Sequence, residues 1–379
     1  MKLTSRIILI TAASAALSAC GSDDGGGGGA NCTVVPTTWS APAWATNAQT
    51  SLALRAQLDV LVGANAMRGA EQGTVVIDNV SQLNALYDAG NPSVADVTTP
   101  TYDAAIGDSF GEFVALIAAG IGDPIDDQGE FAPGPNGGIF GGSSRGINAG
   151  GLEVRQIVDK GLFGGGGLYN YALGLTEGTI TPATIDALAA AWGTNENLDS
   201  AGAQTDSANY SRQMGFYAVM AGALIDAKAY AADVNCTSER DDALVVFFRN
   251  WEQSLFARLV YYANVAASGV AAATADDDYI DALHEFSEGT GLSLGFKGVP
   301  NPDSGPLAGN AVHIADNDID DIMDALNIDT SDFNASTAGL FVEDAPAFAA
   351  AVLMVEGIIA EAYDLTAAEV AAYRTPTAG

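Results

Sequence analysis

Leu244-Val245-Val246-Phe247-Phe248-Arg249-Asn250-Trp251-Glu252-Gln253-Ser254-Leu255-Phe256-Ala257-Arg258-Leu259-Val260-Tyr261-Tyr262 is the stretch whose reading decides the fold. Leu244, Phe248, Trp251, Leu255, Leu259 and Tyr262 recur every three or four residues. A helix aligns them into one apolar stripe. A stripe that long must be covered by other helices, and the flanking sequence supplies them.

Upstream, Leu54, Leu58, Leu61 and Val62 fall at helical spacing, and Ser81 to Ala89 suits a short helix. Phe110, Phe113, Ile117 and Ile121 mark a helix from Tyr102 to Ile121. Val154, Ile157, Val158 and Leu162 mark another over residues 152–175, interrupted by Gly164 to Gly167. Four successive glycines weaken an isolated helix by several kcal/mol, on the order of 1 kcal/mol each, so close packing must hold this segment. Pro182 after Thr181 is a helix start, and Ser211 to Ala232 is a further apolar helix. Downstream, Asp276 to Asp278 begin a helix as acids that complement its dipole. Ile319, Ile322, Met323 and Leu326 mark the next, and Phe348, Val352, Val355, Ile359 and Tyr363 the last. The only strand-like run is Thr74 to Ile77. The sequence therefore predicts an all-α fold, two packed helical bundles over residues 46–379, with the Gly/Pro-rich stretch 122–151 as a surface loop or the seam between them.

The N-terminus carries a different message. Lys2 and Arg6 precede Ile7-Ile8-Leu9-Ile10, and Leu17-Ser18-Ala19-Cys20 follows a short apolar run. This is the layout of a bacterial export signal, too short to span a bilayer comfortably. A Cys directly after Leu-Ser-Ala resembles a lipobox, which implies removal of residues 1–19 and acylation of Cys20. Residues 20–45 then read as a disordered, Gly-rich tether. Gly21 lacks the acidic residue that signals inner-membrane retention in this class, so the expected location is the outer membrane. Beyond the leader, every long apolar stretch is broken by charge or glycine, and no further membrane span is expected. Of the three cysteines, Cys20 goes to lipid. In an oxidising compartment Cys32 and Cys236 then form one disulfide, with two buried free thiols as the alternative.

The chain has 47 acidic residues against 14 Lys and Arg, a net charge of −33. That surface repels nucleic acid and anionic membrane and favours cations, basic partners or a salty medium. Only two histidines are present. His284 and Glu288 are four apart and share a helical face, a pairing suited to a divalent metal that still needs a third ligand. Glu252 supplies it if the two helices pack antiparallel; the alternative is a simple His–Glu contact, with Glu285 on another, solvated face. His-Glu-x-x-His is absent. Gly142-Ser143-Ser144-Arg145-Gly146 fits the nucleophile-elbow pattern in letters, but lies in a glycine-rich loop instead of between strand and helix. Asp316 to Asp320 imitates a calcium loop that fails at Asp321 and Asn327; it reads as an acidic helix start, with His313 just before it.

Three stretches carry a family resemblance: Leu152 to Leu162 (Leu-Glu-Val-Arg-Gln-Ile-Val-Asp-Lys-Gly-Leu), Arg249-Asn250-Trp251-Glu252 with Tyr261-Tyr262, and His284-Glu285-Phe286-Ser287-Glu288-Gly289 with Gly295-Phe296. With the early helix from Leu52 to Asn65, they resemble a family of bacterial lipoproteins distantly related to the imelysins, over roughly Gln49 to Leu326. The resemblance implies two helical bundles on the cell envelope and a link to iron or haem acquisition. Where imelysins carry Gly-x-His-x-x-Glu, this chain has Ala282 and Ser287, and pairs His284 with Glu288 instead. The function expected is a lipid-anchored envelope binding protein assisting acquisition of iron or another cation. Its site would be His284, Glu288 and Glu252. The alternatives are a scaffold docking a basic partner without a small ligand and, more remotely, a hydrolase.

Overall fold

The computed structural model describes residues 32–36, 38–122, 125–126, 130–200, 206–302, 307–310 and 312–376. The leader 1–19, Cys20 and the glycine run to residue 31 lie outside them. The apolar stripe is the spine of one long helix, Thr237–Ala272. Leu244, Phe248, Trp251, Leu255, Leu259 and Tyr262 are all buried on it. A short turn reverses the chain into the helix Asp276–Leu294, which lies alongside it: a Cβ on Gly289 would touch Leu259 and Tyr262, and one on Gly269 would touch Ala282.

Short helices not expected from the periodicity include Met67–Glu71 and Ala367–Ala372. Six further helices follow the expected periodicities closely. They are Gln49–Val62, Val80–Tyr87, Pro100–Ala119, Pro182–Trp192, Asp316–Ala325 and Ala345–Ala362. Thr99 and Thr181 cap their helices directly before a proline, where the missing N–H costs nothing. The helix expected from Ser211 to Ala232 is two, Asp206–Gln213 and Tyr217–Tyr230. They are broken at Gly215, whose φ of 84° is left-handed and open to glycine at no steric cost. Thr74 to Ile77 is not a strand.

Residues Cys32–Gly379 form a single compact unit, which includes the Gly/Pro-rich stretch 122–151. That stretch carries a feature the sequence did not announce, an antiparallel hairpin of Gly138–Phe140 and Arg145–Ile147, with Phe140 and Ile147 in the core. Cys32 and Cys236 are bonded, and Cys236 leads directly into the long helix.

Two segments, Val234–Ala272 and Ala345–Ala362, are long and apolar enough to cross a membrane by length and composition, although charge or glycine interrupts each of them. The first is the core spine just described. The second buries Phe348, Val352, Val355 and Ile359 on one face and exposes Leu353 and Met354 on the other.

Candidate functional site

The helix Val154–Phe163 is buried at every position and packs on Asp276–Leu294. Glycines permit the approach. A Cβ on Gly291 would lie 2.7 Å from the Gln156 carbonyl oxygen, and one on Gly295 would lie 2.7 Å from that of Gly161. The chain then widens into a π-turn at Gly165–Tyr169 before Asn170–Leu175 resumes as α-helix. The four glycines are thus a packing device, as their number required.

This contact brings the sequence motif at 152–162 to His284. His284 Nδ1 lies 2.7 Å from Glu153 Oε2. Arg145 Nη1, delivered by the hairpin, is 2.9 Å from the same nitrogen, and Gln156 Nε2 is 3.3 Å from it. Glu153 Oε1 accepts from Arg155 Nη2 at 2.6 Å. Arg155 Nε donates to Glu71 Oε2 at 2.9 Å, and Arg68 Nη1 donates to the same oxygen at 3.0 Å. Arg68 also holds the hairpin turn, donating to the Ser144 and Ser143 carbonyls at 3.0 and 2.8 Å. Ser144 is therefore a hairpin-turn residue, with no nucleophile-elbow geometry.

Glu71 and Glu153 are both buried. Burial raises a carboxyl pKa. For Glu153 the His284 hydrogen bond and the charges of Arg155, His284 and Arg145 outweigh that penalty and hold it well below the usual carboxylate range. Glu71 is pushed upward by burial and by Glu153, against Arg155 and Arg68. Two polar atoms at this centre, Arg145 Nε and Gln156 Oε1, are buried without a hydrogen-bond partner.

Glu288 faces away from this chain of contacts. It lies 3.9 Å from His284 Nε2, beyond hydrogen-bond range, and pairs with Lys160 Nζ at 3.3 Å. Burial acts to raise its pKa, but Lys160, His284 and Tyr262 bring it below the usual value. Glu285, expected on a solvated face, is half-buried, and burial and Glu288 raise it. Beyond Lys160, the Arg258 guanidinium sits 4.2 Å and 4.3 Å from the ring centres of Tyr261 and Tyr262, within cation–π range.

Glu252 does not join His284 and Glu288. Gly289 lies beside Tyr262 and Gly269 beside Ala282, so His284 is level with residues near 267. Glu252 is then roughly 20 Å further along the axis, at about 1.5 Å per residue. There it accepts from the Tyr363 hydroxyl at 2.6 Å and from the amides of His313 and Ile314 at 2.9 and 2.8 Å. Burial raises it to about 7, against those hydrogen bonds and the charge of Arg249. Among the described residues no group of three or more His, Cys, Asp and Glu converges to hold a metal. The carboxylates near His284 are instead neutralised by Arg145, Arg155 and Lys160, which a metal ion would have to displace. His284 also lacks a Ser, Thr or Cys partner among the described residues. The neighbouring Ser287 Oγ is spent on the Leu283 carbonyl and the Glu153 amide.

Sequence reasoning singled out His284 and Glu288 and quoted Glu153, Arg155 and Lys160 in a motif. It missed Glu71 and Arg145 as partners, and the grouping of Arg249, His313 and Tyr363 around Glu252. The one available signal for the first pair was the cost of burying charge, since so many ionised residues in an apolar segment require partners elsewhere. Comparison with known proteins finds no matching family model, no matching curated protein and no matching solved structure.

Proposed function

We propose that the protein is an exported, lipid-anchored binding protein of the cell envelope, held at the outer membrane through Cys20 and displaying a rigid helical body on a glycine-rich tether. The observation that carries this reading is the Cys32–Cys236 bond. Such bonds persist in oxidising compartments, and this one fastens the residue just after the glycine run to the start of the spine helix. The lipobox-like Leu17 to Cys20 and the resemblance to imelysin-related lipoproteins support the same reading. Two of the motifs behind that resemblance, Leu152 to Leu162 and His284 to Gly289, pack together around Glu153 and His284.

Within this proposal the Glu71–Arg155–Glu153–His284 chain fixes the hairpin and the two helices as one platform. Capture of iron or another cation draws its support from the acidic exterior, with a net charge of −33, and not from His284, Glu288 and Glu252 as a ligand set. The test is cell fractionation of the wild type and Cys20→Ser. The wild type partitions with membranes and is released by detergent, and the variant is soluble. Equal partitioning of the two overturns the anchor.

A further inference from the structure

A cavity of about 510 Å³ opens beside the buried Glu252, with Val245, Val246, Arg249, Gln253, His313 and Tyr363 among its lining. That size suits a small molecule. Its cation is Arg249, which like Arg212 and Arg258 makes no ion pair among the described residues; those two turn to the Asn209 amide oxygen and the Tyr262 hydroxyl. With 47 acids available, Arg68, Arg145, Arg155, Arg240 and Arg374 each pair with a carboxylate. Arg249 Nη2 donates instead to His313 Nδ1 at 3.1 Å.

Burial and the Arg249 charge lower the His313 pKa, against an opposing contribution from the Ala362 backbone. A neutral imidazole thus orients the guanidinium without cancelling its charge. Arg249 spends one of its five N–H donors on it. A paired donor edge remains, the geometry that fits the two oxygens of a carboxylate.

The rest of the lining is mixed: Val245, Val246 and the Tyr363 ring are apolar, and Asn250, Gln253 and Asp364 are polar. The Tyr363 hydroxyl and the His313 amide are spent inward on Glu252, so Tyr363 offers its ring. That ring lies 5.3 Å from the His313 ring, centre to centre, with Val245 and Val246 completing the wall. Asp364 also lines the cavity; it opposes any anion, and a doubly charged one about twice as strongly as a monocarboxylate.

We propose that this cavity binds a small organic carboxylate with an apolar body, the Arg249 fork taking the carboxylate and Tyr363, Val245 and Val246 covering the body. The proposal rests on the reading of the protein as a binding protein and goes further by naming a ligand class. His313 is a positioning residue in it.

The test is calorimetric titration of the folded protein at about 0.15 M salt, where long-range repulsion from the acidic surface is screened. The probes are benzoate, benzyl alcohol and inorganic phosphate. Benzoate binds saturably, and Arg249→Leu weakens it at least about tenfold, the scale of one charge-assisted bidentate contact. Benzyl alcohol and phosphate each bind at least about tenfold more weakly than benzoate, for lack of charge or body. Arg249 is exposed, so its replacement keeps the fold, checked by an unchanged far-UV circular dichroism spectrum, and a lost affinity reports the site. His313→Ala weakens benzoate, and His313→Asn, whose Oδ1 can accept from Arg249, restores it. Equal benzoate affinity in wild type and Arg249→Leu, absence of saturable binding, or phosphate or benzyl alcohol matching benzoate overturns the carboxylate site. Equal loss in both His313 variants overturns the positioning role. A negative titration leaves the Cys20 fractionation result standing, so the two readings fail separately.

Discussion

Glu153 and Glu252 are both fully buried carboxylates, and their surroundings send them in opposite directions. Glu252, raised from 4.5 to about 7, contributes stability that is present below its unfolded pKa and is lost as pH rises through its folded one. The shift corresponds to about 3 kcal/mol at 1.36 kcal/mol per unit. Urea unfolding at pH 5 and pH 8 should therefore show a loss of that order from this group in the wild type and a flatter dependence in Glu252→Gln. Glu153 has the opposite sign. Its depressed pKa gives stability above the ordinary carboxylate range that is lost as pH falls through the folded pKa. Glu153→Gln leaves Arg155 with Glu71 alone and removes the buried carboxylate facing Arg145, and should cost about 3 kcal/mol at pH 7 in urea unfolding, a difference that shrinks in acid. His284→Ala should cost about 1–3 kcal/mol and leave the divalent-metal content by mass spectrometry equal to wild type; lower metal in the variant would restore the metal site. His284 was legible in the sequence because histidine is scarce and sits four from Glu288. Its true partner Glu153 lay in a quoted motif but was unrecognised, because periodicity reports which face a residue occupies and not which segment covers it. Glu252 was misplaced for the same reason: antiparallel packing alone does not fix the level at which two helices meet.

At the scale of elements, the helices were legible because each carries its own apolar period, and their observed ends fall close to those expected. The hairpin was not, because strands of three residues in a glycine-rich run have too few positions to show alternation. Yet it delivers Arg145 to His284. Within Gly164 to Gly167, read from the sequence as held by close packing, Gly165 meets Phe296 and Gly166 meets Tyr102; Gly161, which that reading did not single out, is tighter still. A Cβ on Gly161 would lie 1.9 Å from the Tyr102 hydroxyl, whereas one on Gly222, within the helix Tyr217–Tyr230, meets nothing within 4 Å. Gly161→Ala should therefore destabilise by about 1–3 kcal/mol through overpacking, while Gly222→Ala should stabilise by up to about 1 kcal/mol through helix propensity. Thermal denaturation of the two variants side by side distinguishes a steric requirement for glycine from a general sensitivity of helices.

At the scale of the molecule, one covalent link closes a sequence separation of 204 residues. On the chain-entropy account such a closure contributes about 4–5 kcal/mol, so the Cys32→Ala/Cys236→Ala variant should shift its urea midpoint down by a matching amount. The link also fastens Cys32 to the start of the spine helix, and on the proposed reading the tether precedes that point. The central claim is that Cys20 is where that tether meets lipid. Mass spectrometry of the N-terminal peptide of the protein isolated from its own membranes tests it most directly. The account predicts a peptide that begins at Cys20 and carries the mass of a thioether-linked diacylglycerol; a peptide with an unmodified Cys20, or one that still contains residues 1–19, would contradict it.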